Sequence, residues 1–212
     1  MEFREVVLKR VSIRKWKKKK VEKEKLINIL EAARRAPSWS NTQPWRLIVI
    51  EEEESIKKLA EASGGQPVVE GAPVVIICAG EFGAFSRKQM MRSAKELIAT
   101  GAIEVKEEEL EMLLEQSAVR VAGEEAMKFR TREQITIATA YMTLAAVDQG
   151  LGTCWIGGFD AEAVQRDFRL PPQIIVHAML ALGYPGESPL PRPRKPLEEI
   201  TFFGGYSKSN LE

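Results

Sequence analysis

The passage 33–50, ARRAPSWSNTQPWRLIVI, takes the chain from a helix into a strand through a loop crowded with side-chain chemistry. Upstream, Lys23 to Arg35 reads as a helix with Leu26, Ile27, Leu30 and Ala33 as its apolar stripe. Pro37 ends it, because the residue before a proline is pushed out of the α region. Downstream, Trp45 to Ile50 (WRLIVI) is rich in β-formers and reads as a strand. Between them lie Ser38, Trp39, Ser40, Asn41, Thr42 and Gln43. Asn and Gln each present a donor and an acceptor, a match for the polar edge of a heterocycle. The same residue types also stabilise turns through their own backbone, so the loop alone leaves both uses open.

Outward from this passage, helices and strands interleave. Glu2 to Lys9 reads as a short helix with Phe3, Val6 and Val7 at helical spacing, and Ser55 to Ala62 as another. Ala72 to Ala79 (APVVIICA) and Ile174 to Leu182 (IIVHAMLAL) are continuous apolar runs, expected to be strands buried on both faces. Thr131 to Gln149 is a helix, almost wholly apolar after Gln134, that Gly150 and Gly152 stop. Thr153 to Phe159 is strand-like and Ala161 to Phe168 a short helix. From Gly80 to Arg132 the texture turns charged and helical, the signature of an insertion or lid. Neither an internal repeat nor an interdomain linker is visible, so residues 1–212 are expected to form one domain around one sheet, of the α/β or α+β class.

Composition excludes several functions. The 212 residues carry 31 Lys and Arg against 30 Asp and Glu, a net charge of +1 that offers no global field for nucleic acid or an anionic membrane. The local runs KWKKKK (15–20) and EEEE (51–54) read as solvated faces. With one histidine, two well-separated cysteines and no CxxC, no zinc-ligand cluster is expected. That cysteine usage implies a reducing, cytoplasmic setting. The N-terminus lacks the long apolar region of a signal peptide, and no run approaches the roughly 20 apolar residues that span a bilayer. His177, inside an apolar strand, reads as a structural residue and not as a catalyst.

Three other segments carry candidate chemistry. If Arg10-Val11-Ser12-Ile13-Arg14 is extended, alternation puts Arg10, Ser12 and Arg14 on one face. Two guanidinium forks flanking a hydroxyl suit a phosphate. Near the other end, Pro191 to Pro196 (PRPRKP) presents Arg192, Arg194 and Lys195 on a stretch stiffened by proline. In GLGTCWIGGF (150–159) a dinucleotide fingerprint would need a glycine at Trp155, yet Gly157 and Gly158 still let backbone approach a flat ligand.

In order and spacing, KRVSIRKW (9–16), ARRAPSWSNTQPWRLIVI (33–50), GAPVVII (71–77), GLGTCWIGGF (150–159) and PRKPLEEI (193–200) resemble the FMN-dependent nitroreductase family. The resemblance spans most of the chain except about 80–130. It implies an α+β fold with a central, mostly antiparallel sheet flanked by helices, a helical insertion at about 80–130, and a homodimer completed by C-terminal extensions. FMN is the implied cofactor, with NADH or NADPH as electron donor and a nitroaromatic, quinone or similar small molecule as acceptor in a ping-pong cycle. By the same resemblance, Arg10, Ser12 and Arg14 hold the FMN phosphate together with Arg192, Arg194 or Lys195. Pro37, Ser38, Trp39 and Asn41 come from the other subunit. Ile156, Gly157 and Gly158 bring backbone to the flavin, and Gln66 contacts its pyrimidine edge. No side chain is assigned an acid or base role, since the chemistry belongs to the flavin. Reductive dehalogenation, flavin fragmentation, azoline oxidation and non-enzymatic flavin storage are the alternatives on this fold. Trp39 stands where many members carry a small residue, and Gly157 where some carry an acidic one.

Overall fold

The computed structural model describes residues 1–106, 109–113, 115 and 123–206. Four strands, β1 (Trp45–Ile50), β2 (Val74–Glu81), β3 (Gly152–Ile156) and β4 (Ile174–Gly183), form one antiparallel sheet in the order β1-β2-β4-β3. The helices are α1 (Phe3–Lys9), α2 (Lys23–Arg34), α3 (Glu53–Ala62), α4 (Pro67–Glu70), α5 (Arg87–Ala99), α6 (Glu124–Asp148) and α7 (Ala161–Asp167). Short 3₁₀ turns occupy Trp39–Asn41, Phe82–Phe85 and Leu197–Glu199.

Alternation along each strand divides the interior into two layers. Ile76, Cys78, Leu180 and Leu182 face α2 and α6, meeting Ile29, Ile135 and Met142. Val75, Ile77, Met179 and Ala181 face the other way, toward Leu59 of α3, Val69 of α4 and Val164 of α7. β2 and β4 are thus buried on both faces, as their unbroken apolar runs imply. That pattern usually marks parallel strands. Here the strands are antiparallel, because helices cover both faces anyway. A third cluster, Phe85, Met90, Ala94 and Leu110, lies under the insertion.

Several expectations shift in detail. In α2 the buried stripe is Leu26, Ile29 and Ala33, whereas Ile27 is 53% exposed and Leu30 only partly packed. The insertion begins later than expected, since β2 runs to Glu81, and it contains α5. Its segments 107–108, 114 and 116–122 lie outside the described residues. α6 begins at Glu124, well before the expected Thr131, and it is not buried all round: Thr136, Ala140 and Tyr141 are exposed. In α1 only Val6 is buried, and Phe3, Val7 and Leu8 face outward.

The two glycines after α6 divide the work expected of both. Gly150, at φ +73°, makes the left-handed turn that ends the helix, and the Leu151 N–H returns to the Ala146 carbonyl at 2.8 Å. Gly152 instead permits a close approach, because an added Cβ would collide with the Ile13 side chain and come within 3.2 Å of Pro185. There the segment 12–16 lies along the edge of β3, where the Ile13 N–H donates to the Thr153 carbonyl at 3.0 Å. Gly152→Ala should therefore force Ile13 out of a well-packed position and cost about 1–3 kcal/mol, read as a lower urea midpoint at unchanged slope.

Candidate functional site

The N-terminal segment is pinned at several points. Ser12 bridges Thr153, the Lys17 N–H donates to the Tyr184 carbonyl at 2.9 Å, and the Gly186 N–H donates to the Lys15 carbonyl at 2.8 Å. Glu187 Oε1 accepts from the Arg14 N–H at 2.6 Å and from the Lys15 N–H at 3.2 Å. Ile13 turns into the core, while Arg10 and Ser12 are half-buried and Arg14 is exposed. Ser12 is thereby tied to β3, whereas Arg10 caps the end of α1 and the Arg14 backbone is held by Glu187. Arg10 also lines a cleft of about 280 Å³ with Ala140, Thr143, Leu144 and Trp155.

Trp155 defines one wall of that cleft. Its neighbours Cys154 and Ile156 point into the core on the α3 side. Trp155 turns toward α6, where its Nε1–H donates to Thr143 Oγ1 at 2.8 Å. Sequence reading passed over Trp155, although the same alternation would have found it. Ile156, expected at the cofactor, is 3% exposed with its side chain in the core, so only its backbone is available to a ligand.

Beyond Ile156 the chain leaves the sheet at Gly157 and Gly158. Both are exposed, and a Cβ added to either would meet nothing within 4 Å. The Gln66 amide group donates to the carbonyls of Gly158 and Ser63, at 3.0 Å each. Gln66 therefore clasps the glycine turn to the start of α4.

β3 ends opposite Met179, two residues from a bulge in β4. Cys78 pairs with Ala178 and Ala79 with Val176, so His177 is the extra residue. The bulge puts His177 on the α6 side, where its Nε2 lies 2.9 Å from Thr136 Oγ1. The Thr136 hydroxyl spends its one proton on the Arg132 carbonyl at 2.9 Å. In that arrangement Thr136 Oγ1 accepts from His177 Nε2–H. Burial, reinforced by the positive charge of Arg132, holds this imidazole below its ordinary value.

The loop 37–43 sits elsewhere, against α5 and α6. Pro37 and Asn41 are exposed, and Ser38 is half-buried, its Oγ accepting from the Gln43 N–H at 3.0 Å. The Trp39 ring is engaged within its own chain. It stacks on Phe85, with centroids 5.7 Å apart, and the Arg130 guanidinium lies 5.4 Å from the ring centre. Trp39 is thus held by its own chain beneath the insertion. At the C-terminal end, Arg192, Arg194 and Lys195 are exposed, and the Arg194 guanidinium donates to the Arg192 and Pro193 carbonyls at 3.2 and 3.0 Å. The cysteines offer no reactive thiol: both are free and buried, and burial pushes Cys78 up to about 12.

The lowered His177 value has a measurable consequence. Above its ordinary value of 6.5 the ring is neutral in both the folded and unfolded chain, and it adds no pH dependence. Below 6.5 the unfolded chain takes up the proton first, so stability falls with pH until the folded ring also protonates. His177→Gln should flatten the stability profile in that window, and NMR titration of the wild type should give a midpoint below 6.5.

Residues 7–184 match the model of the Nitroreductase family. The chain is 35% identical over 203 residues to a protein of Thermus thermophilus named NADH dehydrogenase, covering 96% of each chain. It is 30% identical over 206 residues to an FMN reductase [NAD(P)H] of Bacillus subtilis, covering 92% of this chain and 70% of that one. In three dimensions it superposes with a TM-score of 0.81 and 26% identity on a protein from Exiguobacterium sibiricum named as a nitroreductase and solved in complex with FMN, over 96% of this chain and 97% of that one. With its antiparallel sheet between helical layers and its family match across most of its length, the chain belongs to the nitroreductase family.

Proposed function

We propose that the protein is an FMN-dependent oxidoreductase that takes reducing equivalents from NADH or NADPH and passes them, by a ping-pong cycle, to a nitroaromatic, quinone or similar small acceptor. The observation that carries this reading is the pair Gly157–Gly158. Their φ angles are not positive and nothing in the chain crowds them, so the fold itself does not require glycine at either place. Bare backbone at both places leaves room for a flat ligand to lie against the chain. Ser12 bridges Thr153 of the neighbouring strand β3, and with Arg10 and Arg14 it makes a set suited to a phosphate. These residues fit FMN at both its ends.

Bound FMN supplies the redox chemistry, and the protein supplies binding, orientation and exclusion of water. Arg10, Ser12 and Arg14 hold the phosphate, joined by Arg192, Arg194 or Lys195 from the C-terminal segment. Gly157 and Gly158 offer backbone N–H groups to the ring system, while Trp155 and Thr143 border the cleft beside Arg10. His177 stays neutral and serves the bulge.

The working unit is a homodimer on this reading. The chain exposes Phe3 and Leu8 on α1, Tyr141 on α6, and Leu197, Ile200, Phe203 and Tyr206 on the C-terminal segment. Tyr206 is 88% exposed, with its ring 4.5 Å from that of Phe202. A second copy covers these surfaces and brings its Pro37, Ser38 and Asn41 to the cofactor. Among the described residues no helix is long and apolar enough to cross a membrane, and two unpaired cysteines suit a reducing cytoplasm.

The decisive measurement is anaerobic mixing of FMN-loaded protein with NADH or NADPH. Rapid bleaching of the flavin followed by reoxidation with a quinone supports the reading; a purified protein that neither carries nor takes up FMN overturns it. Gly157→Val should leave the stability of the FMN-free protein within about 0.5 kcal/mol, since an added Cβ meets no neighbour, yet weaken FMN binding by about tenfold. Arg14→Ala should weaken FMN binding by roughly ten- to a hundredfold, the value of a charge-assisted contact. Unchanged occupancy in a folded R14A protein removes Arg14 from the phosphate site.

A further inference from the structure

The loop after α2 holds three non-glycine residues in the left-handed region within four positions: Ser40 at φ 49°, Asn41 at 52° and Gln43 at 45°. Each is a sparsely populated conformation for an L-residue, and such residues persist only where the surroundings over-determine them. The structure identifies those surroundings. On α5, in the insertion, the Ser93 hydroxyl lies 2.9 Å from the Ser40 carbonyl oxygen and 2.8 Å from that of Asn41. Ser93 is only 7% exposed, so its one proton is shared between two carbonyls with little competition from water. From α6, Gln134 Oε1 accepts the Trp39 N–H at 2.9 Å, and Gln134 is itself buried. The Trp39 ring is fixed between Phe85 and Arg130.

We propose that Ser93 is a positioning residue through which the insertion sets the conformation of the Ser40–Asn41 backbone, and thereby the presentation of Asn41 to the cofactor of the partner subunit. This rests on the reading of the protein as a dimeric FMN enzyme. The insertion then acts as a clamp as well as a cover. A shift of α5 changes the hydrogen bond at two consecutive carbonyls, and the strained turn converts that change into a rotation of the Asn41 peptide. The exposed Asn41 side chain moves with it, whereas Trp39 stays anchored on α6 by Gln134. Coupling runs from the insertion of one subunit to the flavin of the other without any contact between Ser93 and the flavin.

The test uses the full-length protein with Ser93→Ala and, as the conservative control, Ser93→Thr, which keeps the hydroxyl. Hydrogen–deuterium exchange of the FMN-free protein reads the clamp directly. In S93A, exchange over residues 39–43 should rise by at least about tenfold, the loss of one buried hydrogen bond, while the sheet stays protected. FMN titration reads the consequence, a dissociation constant raised by about tenfold or more, with S93T near wild type in both. Unchanged exchange over the loop in folded S93A overturns the clamp. Raised exchange with unchanged FMN affinity overturns its link to the cofactor while the flavin reading stands. Failure of the wild type to bind FMN at all is a separate result, and it overturns the flavin reading on which that link depends.

Discussion

β2 has no face to spare. From Val74 to Gly80 every residue is buried, so both sides of the strand must be covered by apolar elements. At about 1.5–3 kcal/mol for each fully buried aliphatic side chain, leaving either side to water would cancel the stability of an ordinary domain. Two helical layers follow, α2 and α6 on one side and α3, α4 and α7 on the other. Gly80 adjusts the first of these layers: a Cβ there would sit 2.7 Å from Thr131 and 2.9 Å from Ile135, so α6 crosses the sheet at the one place where β2 has no side chain. With β2 and β4 central, the edges fall to β1 and β3. Ser12 and Ile13 take part of the β3 edge, which ties the segment following α1 to the sheet.

Much of this frame was legible because it follows from local rules. β1 falls at the expected Trp45–Ile50, since Pro44 and the apolar run after it leave little choice. The runs in β2 and β4 announce strands buried on both faces, and Gly150 announces the end of α6. What stayed hidden depends on partners distant in sequence. Ile27 and Ile29 are equivalent in a helical pattern until the sheet decides which of them faces it. The start of α6 at Glu124 was masked by charge, because a helix emerging from a solvated insertion lacks the apolar periodicity that marks its buried half. At the candidate site, the hydrogen bond from Gln66 to the Gly158 carbonyl could not be read from the sequence, because its partners are 92 residues apart.

The bulge at His177 shows why an alternation pattern can be right on average and wrong at one residue. Val176 and Met179 face one layer, while His177 and Ala178 both face the other. An imidazole, with two ring nitrogens to satisfy, is poorly suited to an apolar run. Here the extra residue carries it out to Thr136 at the border of the cleft-bearing face of α6. The polar ring and the irregular backbone are one accommodation, and neither is apparent until β2 and β4 are paired.

The loop 38–43 poses the same problem in a harsher form. Composition gave it two equally good uses, turn-making and ligand contact, and the first is visible in its hydrogen bonds. Ser38 and Thr42 serve the turn, through the Gln43 N–H and the Trp39 carbonyl. The Trp39 ring packs on Phe85 and beside Arg130. Its large apolar area is what makes the strain affordable: an indole wedged beneath the insertion fixes one end of the loop, and Pro44, at the mouth of β1, fixes the other. Between two immovable ends the chain must reverse in a few residues, and left-handed Ser40, Asn41 and Gln43 are the cost of doing so without glycine. Glycine would make the same turn with less strain, but it would leave Asn41 without a carboxamide to present. The strain is therefore a consequence of keeping a side chain at the point where the loop is most exposed.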